Sequence, residues 1–442
     1  MQTLRRNLKK RYVLPAVLCT VMLTSCSLGG SADSLLSPPK LSEEQNAVYE
    51  ALTRSVGNDV RLQYPRSGDH RSAFVFADID GEPDSEAIVF YEKTGETEGS
   101  GNVRINIIDR RGGKLTSVYD HAGAGTGIDR VMFSDLGGGG SRKIIIGYTL
   151  LSGEKNVQVY NYADGILTSE YSDSYSTMFV SDLEKDGKNE LILIRPGNQL
   201  RKASLSSVSA EENGSAAENG SVPLDESATE FVNIAAGYVG TETPAIFIDG
   251  LNDGRLTTEI IYSVDGQFRN PLYLSESALI EKTSRPAGYP CTDIDIDGTI
   301  EIPTLSLFPG YTEDMSSRLY STDWNIFDNY TIVKKYSSFC DFGDGYCFIL
   351  PSRWDGMVTV KRDAATGEAV FCKFRIDLTN SATELMRIAV ASEDETSALL
   401  DEGYVVVKRN NKTSYLVKCP DIPDEPLVLT GTEISNSFYL MG

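Results

Sequence analysis

The sequence predicts a mainly β protein, a β-propeller of four-stranded blades followed by a small α+β module, and three observations predict it. First, an apolar strand, an acidic turn and a second apolar strand recur in order: Phe74–Asp78 with Glu86–Phe90, Val131–Asp135 with Lys143–Ile146, Met178–Asp182 with Glu190–Ile194, Ala245–Asp249 with Glu259–Ile261, and Thr292-Asp293 with Glu301-Ile302. Second, the lead aspartates fall 44–67 residues apart, as one repeat with loop insertions would place them. Third, each pair is followed by further short apolar runs split by turn residues, such as Asn102–Ile108, Arg110–Gly113 and Leu115–Tyr119. Four short antiparallel strands per repeat of ~50 residues is the pattern of propeller blades. At least five copies are recognisable over residues 60–340.

Composition is compatible with that architecture. In 442 residues, 39 Gly and 17 Pro are ordinary, which excludes a collagenous or globally disordered chain. The balance of 41 Lys+Arg against 63 Asp+Glu gives a net charge of −22. An acidic surface repels phosphates instead of releasing their counterions, so nucleic acid is excluded as a partner.

The N-terminus carries an address. Arg5, Arg6, Lys9, Lys10 and Arg11 form a basic region, Val13–Leu23 an apolar one, and Leu23-Thr24-Ser25-Cys26 a small-residue cleavage site. The apolar run is too short to span a hydrocarbon core of about 30 Å and is expected to be a signal peptide, residues 1–25. Its alternative is the signal of an ordinary secreted protein with an accidental Cys. The Leu-Thr-Ser-Cys tetrad resembles the lipobox of bacterial lipoproteins. That resemblance implies that Cys26 carries lipid and becomes the new N-terminus, leaving the protein anchored on the extracellular face of the cell membrane. Cleavage would remove five basic residues and no acidic one. Residues 26–41, punctuated by Gly29-Gly30-Ser31 and Pro38-Pro39, read as a flexible tether. Over 42–57, Ser42 with Gln45 three residues on, Glu43 and Glu44 in the first turn, Val48 and Leu52 four apart and a Gly57 stop predict one short helix.

The acidic turns resemble the FG-GAP or VCBS-type repeat of integrin-α-like β-propellers, whose hallmark is strand, D-x-D-x-D-G-x-x-E, strand. The best match is Asp293-Ile294-Asp295-Ile296-Asp297-Gly298-Thr299-Ile300-Glu301, and the next is Asp182-Leu183-Glu184-Lys185-Asp186-Gly187-Lys188-Asn189-Glu190. Asp78-Ile79-Asp80-Gly81-Glu82-Pro83-Asp84-Ser85-Glu86 keeps the acids but has Pro where the turn Gly belongs. The Asp135 copy, with Lys143 at position nine, and the Asp249 copy, with Leu251 at position three, have lost the pattern. The layout of tether, helix, propeller and C-terminal module resembles surface lipoproteins of gram-positive bacteria.

Carboxylates at positions one, three and five of a tight loop converge on one point and position nine closes the shell, which suits a hard cation taking six to eight oxygens. The expected calcium ligands are Asp293, Asp295, Asp297 and Glu301, then Asp182, Glu184, Asp186 and Glu190, then Asp78, Asp80, Glu82 and Glu86, in that order of preference. The alternative is that each Asp accepts loop N–H groups as an Asx-turn while the remaining acids are solvated.

Residues 206–226, with two Asn-Gly-Ser runs, read as a disordered insertion. Residues 341–442 read as a separate α+β module with a helix near 394–400 and a hairpin around Asn410-Asn411. Of seven Cys, none are at C-x-x-C spacing, and buried free thiols are expected, with Cys340 and Cys347 the best-placed pair for a disulfide. Tyr311, Tyr320, Trp324, Phe327 and Tyr330 suit either a glycan platform or blade core. Two histidines, His70 and His121, leave few centres for acid–base chemistry, and no catalytic residue is assigned. Two functions remain. One is a membrane-anchored binding or adhesion lipoprotein whose calcium-stiffened loops present a face to an extracellular protein or glycan. The other is a surface carbohydrate-active enzyme, a glycoside hydrolase or lyase, using carboxylates in the propeller funnel.

Overall fold

The structure is a computed structural model that describes residues 41–94, 103–136, 142–195, 197, 204–211, 215–240, 242–272 and 279–441. The signal peptide, Cys26 and nearly all of the tether lie outside the described residues. The chain opens on helix α1 (Glu43–Val56). The Ser42 hydroxyl accepts from the Gln45 N–H at 3.1 Å and the Gln45 side chain accepts from the Ser42 N–H at 3.0 Å, so the capping box read from the sequence is formed. Gly57 ends the helix at φ 95°, where only glycine is unstrained. Among the described residues, no helix is long and apolar enough to cross a membrane.

Everything after α1 is dominated by antiparallel strands, which form six sheets of four or five strands. The first sheet runs Glu86–Lys93, Arg104–Arg111, Lys114–Ala122, with Val60–Leu62 and Phe74–Ala77 sharing the outer side of Glu86–Lys93. The second (Gly127–Ser134, Lys143–Thr149, Lys155–Ala163, Ile166–Tyr175) and third (Thr177–Ser181, Glu190–Arg195, Ser204–Ala210, Ala216–Pro223) are plain four-stranded meanders. The fourth comprises Glu230–Val239, Thr243–Asn252, Arg255–Val264 and Gln267–Arg269, with Arg285–Pro286 added beside Arg255-Leu256. Ile302–Leu307, Tyr320–Asp328, Thr331–Asp341, Tyr346–Ile349 and Phe438–Leu440 build the fifth, and residues 358–418 the sixth.

Side chains alternate across each sheet, so every sheet has two faces to bury. Val75, Ile88, Phe90 and Ile105 of the first sheet pack on Val131, Ile144, Ile146 and Tyr160 of the second. Val157 and Tyr175 of the second meet Met178, Leu191 and Val208 of the third, and the series continues through the fourth and fifth to a large aromatic core of Phe339, Phe348, Trp354, Phe371 and Phe438 shared with the sixth. The remaining face at each end is closed by a helix. Val48, Ala51 and Leu52 of α1 cover Val89 and Tyr91 of the first sheet, and Leu399 of α2 (Glu393–Asp401) covers Ala389 and Leu416 of the sixth. A third helix, α3 (Gly431–Ser437), adds Ile434 to the aromatic core and hands the chain to its last strand.

Two expectations about organisation are corrected. The stretch expected to be disordered, 206–226, contains a paired hairpin, Ser204–Ala210 with Ala216–Pro223, that completes the third sheet and buries Val208, Ala216 and Val222. Its polar composition hid a few apolar residues spaced to face a core. The border expected at 340/341 falls at the end of the strand Thr331–Asp341, and both Tyr346–Ile349 and Phe438–Leu440 belong to the same sheet as that strand. Residues 341–442 therefore share one core with the fifth sheet. Cys340 and Cys347 are cross-strand partners with sulfurs 3.0 Å apart, and both are free thiols. Trp324 and Phe327 are buried, which answers the aromatic question in favour of core at those positions.

Candidate metal centres

Each acidic turn sits where a sheet begins. The turn at 78–86 links Phe74–Ala77 to Glu86–Lys93, that at 182–190 links Thr177–Ser181 to Glu190–Arg195, and that at 293–301 leads into Ile302–Leu307, closed by a Thr292–Glu301 bridge. Position two is apolar and buried in all three, as Ile79, Leu183 and Ile294, and it pins the loop to the core. Its N–H donates to the position-nine carboxylate: Ile79 to Glu86 at 3.0 Å, Leu183 to Glu190 at 2.9 Å and Ile294 to Glu301 at 3.0 Å. The ninth residue is held under the loop in every copy.

The first aspartate folds the rest. Asp182 accepts from the N–H groups of Asp186 at 3.1 Å and Gly187 at 2.8 Å, and Asp293 accepts from Asp297 and Gly298 at the same two distances. Both loops place position four in the left-handed region (Lys185 φ 57°, Ile296 φ 63°) and a glycine at position six (Gly187 φ 82°, Gly298 φ 90°). Pro83 cannot adopt that conformation at position six. The 78 loop bends earlier instead, at Gly81 (φ 84°), whose N–H donates to Asp78 at 2.7 Å.

The Asx-turn reading is therefore correct as geometry, and it coexists with convergence. Asp78, Asp80 and Glu86 bring carboxylate oxygens within 4.8 Å of one another, as do Asp182, Asp186 and Glu190, and Asp293, Asp295 and Asp297. Three of the expected ligands, Glu82, Glu184 and Glu301, are not in these groups. Glu82 and Glu184 are exposed, and Glu301 directs its second oxygen to the ammonium of Lys335, which Asp295 and Asp297 also meet. Glu82 is displaced because the Pro83 bend changes which positions face inward.

Burial dominates the electrostatics. Glu190 is pushed up to about 7 by burial, aided by the charges of Glu184, Asp182 and Asp186 against the pull of the Leu183 N–H. Glu86 is raised by burial and by Asp80 and Asp109. Glu86 is 1 % exposed, and its Oε1 has no hydrogen-bond partner among the described residues. A buried oxygen without a donor is unfavourable by about 1–3 kcal/mol or more unless something binds it. No Lys or Arg among the described residues lies within 4 Å of Asp78, Asp80 or Glu86, and around the 182 loop the exposed Lys188 reaches only Asp186, at 3.6 Å. Acidic clusters with oxygen-only donors can hold a metal ion. The 78 loop also lines an open cleft of about 1080 Å³ between the first two sheets, walled by Asp109, Arg110, Arg111, Asp135, Arg142 and Tyr162.

The 293 loop differs in what it contains. Lys335, from the fifth sheet, places its ammonium 2.9 Å from Asp295, 2.6 Å from Asp297 and 2.8 Å from Glu301. Burial alone would lower its pKa, and the three carboxylates more than offset that and hold it above the ordinary lysine value. The two degenerate copies also hold internal cations. Lys143 reaches Glu170 at 2.9 Å and Asn161 at 3.1 Å, and Arg285 reaches Asp249 at 2.6 Å with both side chains at 0 % exposure. Nothing in the sequence alone marked Lys335 or Arg285, which are brought in from outside their motifs.

No family model and no curated protein matches the chain. Among solved structures, a protein from Lactobacillus plantarum is similar at 11% identity, covering 70% of this chain and 83% of its own, with a TM-score of 0.30. An exotype rhamnogalacturonan lyase is similar at 11% identity, covering 71% of this chain and 61% of its own, with a TM-score of 0.27.

Proposed function

We propose that this protein is a lipid-anchored extracellular binding protein, with blade-like sheets of FG-GAP/VCBS type and calcium in the 78 and 182 loops that holds their edge as a recognition surface for a protein or glycan. The observation that carries the metal part is Glu86: a buried carboxylate oxygen without a donor, converging with Asp78 and Asp80 beside a wide charged cleft. Calcium is favoured over softer ions because every donor is an oxygen, and over magnesium because a carboxylate loop that also accepts its own N–H groups offers irregular geometry. Bound there, it would neutralise carboxylates that otherwise repel one another. The anchor rests on the Leu23–Cys26 tetrad, and two acyl chains suffice for stable attachment without any helix in the bilayer.

The test is a glycan array and a cell-surface binding assay with the mature chain, run in about 1 mM calcium and in chelator, beside an Asp80→Asn variant. Calcium-dependent binding that Asp80→Asn weakens is expected. Binding indifferent to both removes the metal from the recognition surface, and release of new sugar ends from any polysaccharide would replace the binding reading with that of a carbohydrate-active enzyme. Fatty-acid labelling of the wild type and Cys26→Ala decides the anchor separately.

A further inference from the structure

The 293 loop matches the acidic motif best by sequence, yet its interior is already supplied with charge. We infer that Lys335 is the resident cation of this loop, a covalently attached substitute for a metal ion, and that the loop takes a metal only when Lys335 is removed.

The backbone argues that the loop is otherwise equipped for an ion. Its first aspartate accepts from the same two N–H positions, at the same distances, as in the 182 loop, and its position-nine Glu is pinned by the same N–H. What differs is delivered by the neighbouring strand. In the pairing of Tyr320–Asp328 with Thr331–Asp341, Asn325 faces Lys334 and Trp324 faces Tyr336, so Lys335 is the extra residue of a β-bulge. A bulge breaks the alternation of side chains and re-aims one of them. Here it sends Lys335 across to the loop, where the three donors of one ammonium meet one oxygen each from Asp295, Asp297 and Glu301 at 2.6–2.9 Å. Those are positions three, five and nine, the oxygens a calcium ion would need at about 2.3–2.6 Å. Ion and ammonium would compete for one point, so they exclude each other. Glu301 is 0 % exposed on its side chain, and the neutralisation cannot be left to water.

Bound calcium is counted by equilibrium dialysis of the full mature chain at millimolar concentration for four proteins: wild type, Asp295→Asn, Lys335→Met and the double variant. The expected result is that Asp295→Asn leaves the wild-type count unchanged, Lys335→Met adds one equivalent with Kd of about 10⁻⁴–10⁻³ M, and the double variant loses it again. A wild-type count that falls by one on Asp295→Asn overturns the inference, as does a folded Lys335→Met that gains nothing. Should Lys335→Met not fold, the Asp295→Asn arm decides where the wild type binds calcium, and Lys335→Gln takes the place of Lys335→Met where it does not. A wild type that binds no calcium removes the metal from the 78 and 182 loops, whereas a gain from none to one in Lys335→Met would still uphold the role of Lys335.

Discussion

The 182 and 293 loops are the same backbone device used in two ways. Both fold around a first aspartate, a left-handed fourth residue and a glycine at position six, and both bury a ninth-position glutamate. In the 293 loop a lysine from the next strand fills the centre, whereas in the 182 loop the nearest ammonium, Lys188, is largely solvated on the rim. An acidic motif therefore specifies a demand for positive charge, and the residues outside the motif decide whether protein or solvent meets it. The Asp249 copy extends the comparison: the loop is gone, and Arg285 satisfies the aspartate within the core.

The largest effect is expected at that extreme. Asp249 accepts from Arg285, Thr258, Cys291 and Asn233, while Arg285 also donates to the carbonyls of Thr283 and Tyr289. Arg285→Ala leaves an enclosed carboxylate unpaired, and about 3–5 kcal/mol of stability should be lost. Urea unfolding checks it, with and without calcium. If calcium restores the loss, the enclosed pair and the open loops are more alike than the comparison holds.

Next is the carboxylate that has neither cation nor loop. Glu259 lies ten residues after Asp249 and pairs with Ile248 as Glu86 pairs with Ala77; it accepts from the Asp225 N–H at 2.9 Å and from the Asn270 amide at 2.5 Å, and is pushed up to about 7 by burial. A folded-state pKa above the unfolded value makes the native state the stronger proton binder. This contribution is fully present below about 4.5 and is lost as pH rises to about 7. Its slope is at most about 1.4 kcal/mol per pH unit. Glu259→Gln keeps the shape and should remove that part of the slope between pH 5 and 7, read by denaturant midpoints across the range; an unaltered slope would place the titration elsewhere.

Smaller still is the response to metal removal. At about 1 mM calcium and a Kd of about 10⁻⁴–10⁻³ M, one site stabilises by roughly 0.4–1.4 kcal/mol. Chelator should lower the melting temperature of the wild type by a few degrees or less, and Asp186→Asn should cut that response. Asp297→Asn should leave it intact, although it weakens the contact to Lys335. The reverse pattern would exchange the roles of the two loops.

How much of this was legible follows from where each signal lies along the chain. Helix α1 was readable because Ser42, Gln45 and Gly57 are local, and so were the strands and turns, whose signals lie within a few residues. The position-nine glutamates were also readable, but the cation beside the 293 loop was not. Lys335 lies 34 residues beyond Glu301 and is aimed by a bulge, which depends on pairing rather than on composition. Arg285 is 36 residues from Asp249 for the same kind of reason. The hairpin within 206–226 and the returning strand Phe438–Leu440 are likewise tertiary choices, fixed by the core they complete.

The smallest effect tests whether the two backbones are as equivalent as their hydrogen bonds indicate. Ile296 holds φ 63° and is 84 % exposed, so no packing compensates a β-branched residue in the left-handed region. Lys185 holds φ 57° at the same position of the other loop, is unbranched at Cβ, and donates to the Glu242 carbonyl at 3.2 Å. Asn adopts this conformation readily without the unfolded-state entropy that Gly adds. Ile296→Asn should therefore stabilise by about 0.5–1 kcal/mol, while Lys185→Asn, which exchanges a weaker strain for a lost hydrogen bond, should stay within about 0.5 kcal/mol of the wild type. Both are measured by urea unfolding in chelator, so that metal linkage does not enter. Equal gains in the two loops would mean that the strain belongs to the turn itself and not to the branched side chain, and no gain in either would mean that the left-handed residue relaxes in solution and the two loops are held by their aspartates alone.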